Sequence, residues 1–270
     1  MSGTPVRLGG MALRNGILVH SLEHWAAAVR TADGQVKVAS GRKPDLPDAL
    51  TRTPLVRGVA RMAEAAWLLP VVRRRLPDAR LPVEGPGMGA ALAGSALLAQ
   101  AARRSRLHPV FAESLAAAAA LAPAFMALRG SEIARYHGAE HKAIGAYEKG
   151  TDAVDASKEH ERCGSHMVGP IVVLTAAGNA LASRLPESRR GPARLAVGLA
   201  ALGAATEAFG WMGRHRDHPV SRALRRPGFE LQRVAATRDP TPAELEVAEA
   251  ALAEVLRLEG APALGRSAPA

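Results

Sequence analysis

Four long segments with almost no charged residues constrain the fold more than any other feature of this sequence. They span residues 86–102, 109–128, 167–183 and 195–213. Each has about the roughly 17–25 residues that a helix needs to cross the hydrocarbon core of a membrane. We therefore predict a mainly α-helical membrane protein with about four transmembrane helices, paired as one hairpin over residues 86–128 and a second over residues 167–213.

The composition agrees with helices that pack in lipid. Hydrophobic residues make up 48% of the chain but aromatic residues only 3%, so the large side chains that usually fill a soluble core are scarce. Small residues, by contrast, let membrane helices approach one another closely. One alternative stays open, because segments so rich in alanine and glycine are also compatible with the buried helices of a soluble bundle.

The segments before the first span belong to the same predicted domain, which covers residues 1–260. Residues 9–54 are predicted to form a small β-hairpin and loop region with a turn at Asp33-Gly34, a dipeptide typical of tight hairpins. Residues 55–75 are predicted to form an amphipathic helix that Pro70 and the arginines after it bring to an end. Such a helix either lies on a membrane surface or packs on protein.

The later segments include a metal-motif segment at residues 129–166 and a C-terminal region at residues 214–260. In the latter, Thr241-Pro242 followed by Glu244 predicts a helix start with a capping box. Residues 261–270 are rich in alanine and proline and are predicted to form a disordered tail. Cys163 is the only cysteine, so an intrachain disulfide is excluded.

The formal net charge of +10 indicates attraction to anionic lipid headgroups, although codon usage in a GC-rich genome also favours arginine. Nucleic acid is not an expected partner, because no basic stretch is interleaved with aromatic residues. The two hairpins place both termini and the metal-motif segment on one side of the cell membrane. That side is basic and is expected to face the cytoplasm, although the loops within the hairpins are basic too.

The strongest functional motif is His137-Gly138-Ala139-Glu140-His141. Residues four apart share one face of a helix, so the two imidazoles can bind one zinc ion together. The carboxylate between them has three possible roles: a general base, a ligand, or a partner that orients a histidine. His-x-x-Glu-His is the inverted order of a zinc-peptidase motif.

His160 and Cys163, three residues apart, are candidates for the remaining ligands, because thiolate and imidazole both suit zinc. Four protein ligands would close a tetrahedral site and make it structural, whereas three would leave a position for water. Glu207 is a further candidate site residue, because an acid inside an apolar span is costly and usually functional.

Several stretches together resemble the YqhQ-like family, domain-of-unknown-function family 1385. The resemblance rests on Gly9-Gly10-Met11-Ala12, residues 24–30, Arg57-Gly58, residues 135–142, Tyr147-Glu148, His160, Arg162-Cys163-Gly164, residues 213–217, Pro227-Gly228, Leu231-Gln232 and residues 237–240. It implies an integral membrane protein with a metal-dependent activity, and it adds Glu148 to the candidate site residues. The chain departs from the family pattern at Met11, Asn15, Glu161 and Ser165.

Two interpretations of function follow from these residues. The first is a zinc-dependent membrane hydrolase that works at the cytoplasmic face, with Glu140 as the general base and an unknown substrate. The second is a membrane assembly or scaffold protein in which a structural metal holds the chain together and an unknown protein is the partner. The number of protein ligands on the metal distinguishes them.

Overall fold

A computed structural model describes residues 6–85, 87–128 and 132–262. The predicted disordered tail at residues 261–270 lies outside this range from residue 263 onward. Pro86, at the start of the first predicted span, and residues 129–131, at the start of the metal-motif segment, also lie outside it.

An antiparallel sheet of four strands forms at the N-terminal end of the described chain. The strands follow one another in space in the order β1 (Gly9–Ala12), β2 (Gly16–His20), β3 (His24–Arg30) and β4 (Val36–Arg42). The predicted turn at Asp33-Gly34 joins β3 to β4 and is confirmed. The sheet extends the predicted hairpin, because β1 and β2 add a second pair of strands.

Nine α-helices occur in the described ranges. They are α1 (Asp48–Arg52), α2 (Val56–Arg75), α3 (Met88–Arg104), α4 (Pro109–Leu128), α5 (Glu132–Lys149), α6 (Val168–Ala182), α7 (Glu187–Arg214), α8 (Pro219–Leu231) and α9 (Pro242–Leu258). A 3₁₀ turn at Gly164–Met167 precedes α6, and a π-helical turn at Gln232–Ala236 follows α8.

One detail of the N-terminal region differs from the predictions. Residues 41–54, predicted as a loop, contain the short helix α1. Helix α2 runs through Pro70 and ends at Arg75. A proline removes one hydrogen bond from a helix, but Leu68 and Val72 on either side of it are fully buried against the sheet, and this packing holds the helix together.

Central strands β2 and β3 are buried on both faces. Ile17 and Ala28 belong to a core formed with α5 and α9, and Leu18 and Trp25 belong to a second core formed with α2. Both faces are therefore apolar, and the strands show continuous apolar runs. The capping box at the start of α9 is confirmed: the Glu244 carboxylate accepts a hydrogen bond from the Thr241 backbone nitrogen at 2.7 Å.

Three helices in the described residues are long and apolar enough to cross a membrane: Pro109–Met126, Gly164–Ala182 and Glu187–Arg214. The first predicted span corresponds to α3, which has 17 residues and is not among the three. Helix α7 begins at Glu187, so it includes most of the predicted basic loop before residue 195. Pro192 lies in its second turn, where it removes one backbone hydrogen bond of the helix.

Candidate metal centre

Helix α5 positions two histidines one turn apart beside the single cysteine. The ring centroids of His137 and His141 are 4.4 Å apart. Their ligand atoms and Sγ of Cys163 all lie within 4.8 Å of one another. The distance from Nε2 of His137 to Sγ of Cys163 is 3.5 Å, which matches the separation of about 3.5 Å between two ligands of a tetrahedral zinc ion.

Backbone carbonyls hold both imidazoles in the form that can bind a metal. Nδ1 of His137 lies 2.9 Å from the carbonyl oxygen of Ala236, and Nδ1 of His141 lies 2.6 Å from that of Lys158. A carbonyl oxygen only accepts, so each Nδ1 carries the proton and each Nε2 presents a free lone pair. Such an outer hydrogen bond also fixes the orientation of a metal-binding histidine.

Burial shifts the pKa values of His141, Cys163 and Glu140. Desolvation lowers the pKa of His141 well below its ordinary value, which keeps the ring neutral. Desolvation also raises the pKa of the Cys163 thiol and raises that of Glu140 to about 7. A divalent cation at this point would favour the thiolate of Cys163, because its charge stabilises the ionised form.

The donors fit zinc better than calcium or magnesium, because imidazole nitrogen and thiolate sulfur are softer than the oxygen ligands that those ions prefer. Among the described side chains, the cluster contains three residues that can act as ligands. A tetrahedral ion held by these three would keep one position for another ligand.

His160 lies next to this cluster, but its nitrogens have other contacts. Its ring centroid is 5.5 Å from that of His141. Its Nε2 faces the Glu148 carboxylate at 3.3 Å, and its Nδ1 accepts a hydrogen bond from the backbone nitrogen of Arg162 at 3.2 Å. Glu148 also forms an ion pair with Arg162. The structure therefore places Glu148 behind His160 and places His160 outside the three-residue cluster.

Glu207 lies elsewhere in the fold. Its carboxylate accepts hydrogen bonds from Nε of Arg57 at 2.7 Å and from the backbone nitrogen of Leu55 at 3.1 Å. This acid therefore joins α7 to the start of α2, and the structure does not bring it to the histidine cluster.

The N-terminal strands contribute two residues that sequence reasoning did not assign to the site. His20 at the end of β2 lines a cavity of about 170 Å³ together with His137, Glu140 and His141. Gly10 on β1 packs so closely on Glu140 that a Cβ atom at this position would overlap the carboxylate. The closeness of Gly10 to Glu140 would have marked this glycine as part of the site, but that contact is visible only once β1 is seen to pack on α5.

Gln232 fixes the segment that carries Cys163. Its side-chain oxygen accepts a hydrogen bond from the backbone nitrogen of His160 at 2.7 Å, and its side-chain nitrogen donates to Oγ of Ser165 at 2.8 Å. Gly138 plays a related part, because a Cβ atom there would overlap the carbonyl oxygen of Arg238. The chain after α8 can therefore cross α5 closely enough for Ala236 to bind His137.

Two cavities meet at Glu140. The smaller one, of about 170 Å³, is lined by polar groups such as His20, His160 and Arg162. The larger one, of about 390 Å³, is lined mostly by apolar groups, including several side chains of α4, Val168 at the start of α6 and Leu231 at the end of α8. His137, Glu140 and Cys163 line both, so the candidate metal centre lies on the boundary between a polar and an apolar space.

Comparison with known proteins identifies relatives without a known activity. The family model described as "Protein of unknown function (DUF1385)" matches residues 120–258, which include the whole histidine motif and Cys163. The chain is 26% identical over 306 aligned residues to the "Uncharacterized protein YqhQ" of Bacillus subtilis (strain 168), with 94% of each protein covered. No solved structure matches the chain.

Proposed function

This chain belongs to the family of proteins of unknown function DUF1385, and from the geometry of its site we propose that it is a zinc-dependent hydrolase of the cell membrane. One observation carries the proposal: three oriented donors, His137, His141 and Cys163, lie beside a buried carboxylate at the wall of two cavities. A site with three protein ligands and neighbouring space for substrate is typical of catalytic zinc.

A zinc ion at this site would supply a Lewis acid that makes a water molecule more acidic. Glu140 then acts as the general base: it takes a proton from the attacking water and returns it to the leaving group as the bond to that group breaks. Gly10 supports this role, because the lack of a side chain lets β1 cover the carboxylate and exclude bulk water. The carbonyls of Ala236 and Lys158 keep both imidazoles in place.

The proposal places the metal centre at the cytoplasmic face of the membrane. The three candidate spans α4, α6 and α7 support membrane insertion. We propose that α3 completes a four-helix membrane bundle, since it forms a hairpin with α4; its 17 residues give a length of about 25 Å, which is a little short of the ~30 Å hydrocarbon core. The centre then faces the same side as both termini.

The competing interpretation, a scaffold protein with a structural metal, makes a different prediction about the fourth ligand. A structural site requires a fourth protein donor. His160 is the nearest candidate, and it would have to give up its contact with Glu148 to reach the ion. The enzyme interpretation is favoured because His160 has these other partners.

Glu140→Gln tests the proposal, because it keeps the shape of the side chain and removes its basicity. Zinc-loaded protein is assayed with a panel of chromogenic p-nitrophenyl esters and p-nitrophenyl phosphate, and its zinc content is measured in parallel. We expect the variant to retain zinc and to hydrolyse the best probe on the order of 10²–10⁴-fold more slowly. Glu132→Gln, on the exposed start of the same helix, is the matched control and should keep both properties.

Two outcomes would contradict the proposal. Loss of zinc in Glu140→Gln would make this carboxylate a ligand or a support for one. Equal hydrolysis by the variant and the wild type, or no hydrolysis by the zinc-loaded wild type, would favour the scaffold interpretation.

A further inference from the structure

The larger cavity at the candidate centre has the size and the lining of a site for an apolar chain. Its volume of about 390 Å³ lies within the range of roughly 300–1,000 Å³ that is typical of small-molecule sites. Its walls include Leu121, Ala124, Phe125, Ile133, Val168 and Leu231. A polar solute would find no hydrogen-bond partners along such walls, so the cavity favours an apolar occupant.

The two ends of the cavity differ in chemistry. At the inner end lie His137, Glu140 and Cys163. The wall opposite is formed mainly by α4, one of the helices that can cross a membrane, and α6 adds only its first residue, Val168. There Phe125 lines the cavity and is still 41% exposed, so this wall reaches the outer surface of the candidate membrane region. An occupant can therefore enter from the lipid side and reach the metal centre.

We infer that the cavity binds the hydrocarbon chain of a membrane amphiphile, with the bond between its chain and its polar group held beside Glu140. This inference rests on the proposed function and names its substrate class. The smaller polar cavity on the other side of Glu140 supplies a place for the polar group. One molecule that occupies both cavities thus places its boundary between polar and apolar parts at the candidate centre.

The fold offers a reason why the chain of a lipid fits better than a protein helix. A helix with its side chains is about 10–12 Å across and needs an open groove, whereas this space is bounded by β1 on one side, by α4 and α6 on another, and by the turn after α8. A single hydrocarbon chain is narrow enough to enter such a space from the bilayer.

A photoreactive palmitic acid with a diazirine on its chain tests the inference. The full-length, zinc-loaded protein is placed in nanodiscs of phosphatidylcholine, irradiated with increasing amounts of the probe, and mapped by peptide mass spectrometry. We expect saturable labelling at Leu121, Phe125, Val168 and Leu231. Unlabelled fatty acids added to the same nanodiscs should compete with the probe and reduce the labelling of these residues.

A pair of substitutions on α6 provides the matched control. Val168→Trp fills the cavity and should raise the half-saturating probe concentration on the order of tenfold. Val173→Trp adds the same side chain at a lipid-exposed position outside this cavity. It should change the half-saturating probe concentration by less than about twofold. Retained zinc in both variants checks that they are folded. Non-saturable labelling spread along the exposed faces of α4, α6 and α7 would overturn the inference.

His141→Ala separates this inference from the proposed hydrolase activity. The variant should lose zinc and hydrolysis but keep saturable labelling, because His141 is a proposed ligand that does not line the larger cavity. If the wild type binds no zinc and hydrolyses no ester while saturable labelling persists, chain binding is supported and the proposed hydrolase is rejected. If hydrolysis of short-chain esters depends on Glu140 but labelling never saturates, the hydrolase is supported and the inference about the chain is rejected.

Discussion

The sheet unit, formed by β1–β4, α5 and α9, and the helical bundle, formed by α3, α4, α6 and α7, place their apolar side chains in opposite ways. In the sheet unit, Trp25, Leu252 and Leu256 are completely or almost completely buried. In the bundle, Leu97 is 71% exposed and Phe111 is 68% exposed. The first arrangement suits a surface in water, and the second suits a surface in lipid.

Buried polar side chains occur in both regions. In the bundle, buried Glu113 binds Nε of Arg103 at 3.1 Å and Arg194 at 2.9 Å, which ties α4 to α3 and α7. In the sheet unit, most ion pairs lie near the surface, such as that between Arg257 and Glu254. The candidate metal centre lies where the two regions meet, with His137 and His141 from the sheet unit and Cys163 from the segment just before α6.

The largest expected effect concerns this junction. His141→Ala removes a buried donor, so we expect zinc content to fall from about one ion per chain to less than about a tenth, because two remaining ligands hold the ion weakly. His215→Ala removes an exposed histidine that stacks on Trp211 at the end of α7 and should leave zinc content unchanged. Metal analysis of the purified proteins makes the measurement. Full zinc retention in His141→Ala would disconnect this histidine from the centre.

A matched pair of leucines tests whether the bundle surface faces lipid. Leu199, near the middle of α7, and Leu22, between β2 and β3, are 51% and 66% exposed. Leu199→Asp should oppose membrane insertion by about 4 kcal/mol, because aspartate is costly and leucine favourable at the centre of a span. Leu22→Asp should have almost no effect. The measurement is the amount of protein retained in carbonate-washed membranes, and equal retention of both variants would argue for a soluble bundle.

Truncation of two other leucines tests the opposite region. Leu252 is fully buried in the core between α9 and the sheet, so Leu252→Ala should lower the free energy of unfolding by about 2–5 kcal/mol. Leu97→Ala on the exposed face of α3 leaves no cavity and should change it by less than about 0.5 kcal/mol. Trp25 fluorescence, with Trp67 and Trp211 replaced by Phe, monitors unfolding of the sheet unit. Similar losses for both variants would show that the face of α3 is packed against protein.

Local patterns in the sequence were enough to predict much of this architecture. The turn at Asp33-Gly34, the capped start of α9 and three apolar spans all depend on residues close together in the chain. The prediction of a loop over residues 41–54 was wrong where α1 forms. In α2, packing against the sheet outweighs the local effect of a proline, and no local pattern records that packing.

The candidate site shows the same limit. His137 and His141 could be paired from their helical spacing, and the structure places Cys163 beside them. The roles of Gly10 and His20 could not be predicted, because they depend on the packing of β1 and β2 on α5, which joins residues more than 100 positions apart. The placement of His160 depends on Gln232, 72 positions later in the chain, which holds its backbone.

The smallest expected effect is a pH dependence within the sheet unit. Glu254 on α9 accepts hydrogen bonds from Arg257 and from Oγ of Ser40 on β4, which together lower its pKa from 4.5 to about 2. A carboxylate whose pKa is lowered on folding stabilises the protein above about pH 4.5, and this contribution is lost as the pH falls towards 2.

Because Glu254 is partly exposed and solvent weakens such contacts, we expect Glu254→Gln to cost only about 1 kcal/mol at pH 7. The Trp25 fluorescence assay should show this difference shrinking between pH 5 and pH 2, since the wild-type carboxylate becomes protonated there. Glu246→Gln on the same helix, whose carboxylate is 64% exposed, should change stability by at most a few tenths of a kcal/mol. A cost for Glu254→Gln that stays constant down to pH 2 would mean that the loss comes from packing, and that the charge of Glu254 contributes nothing to the contact between α9 and the sheet.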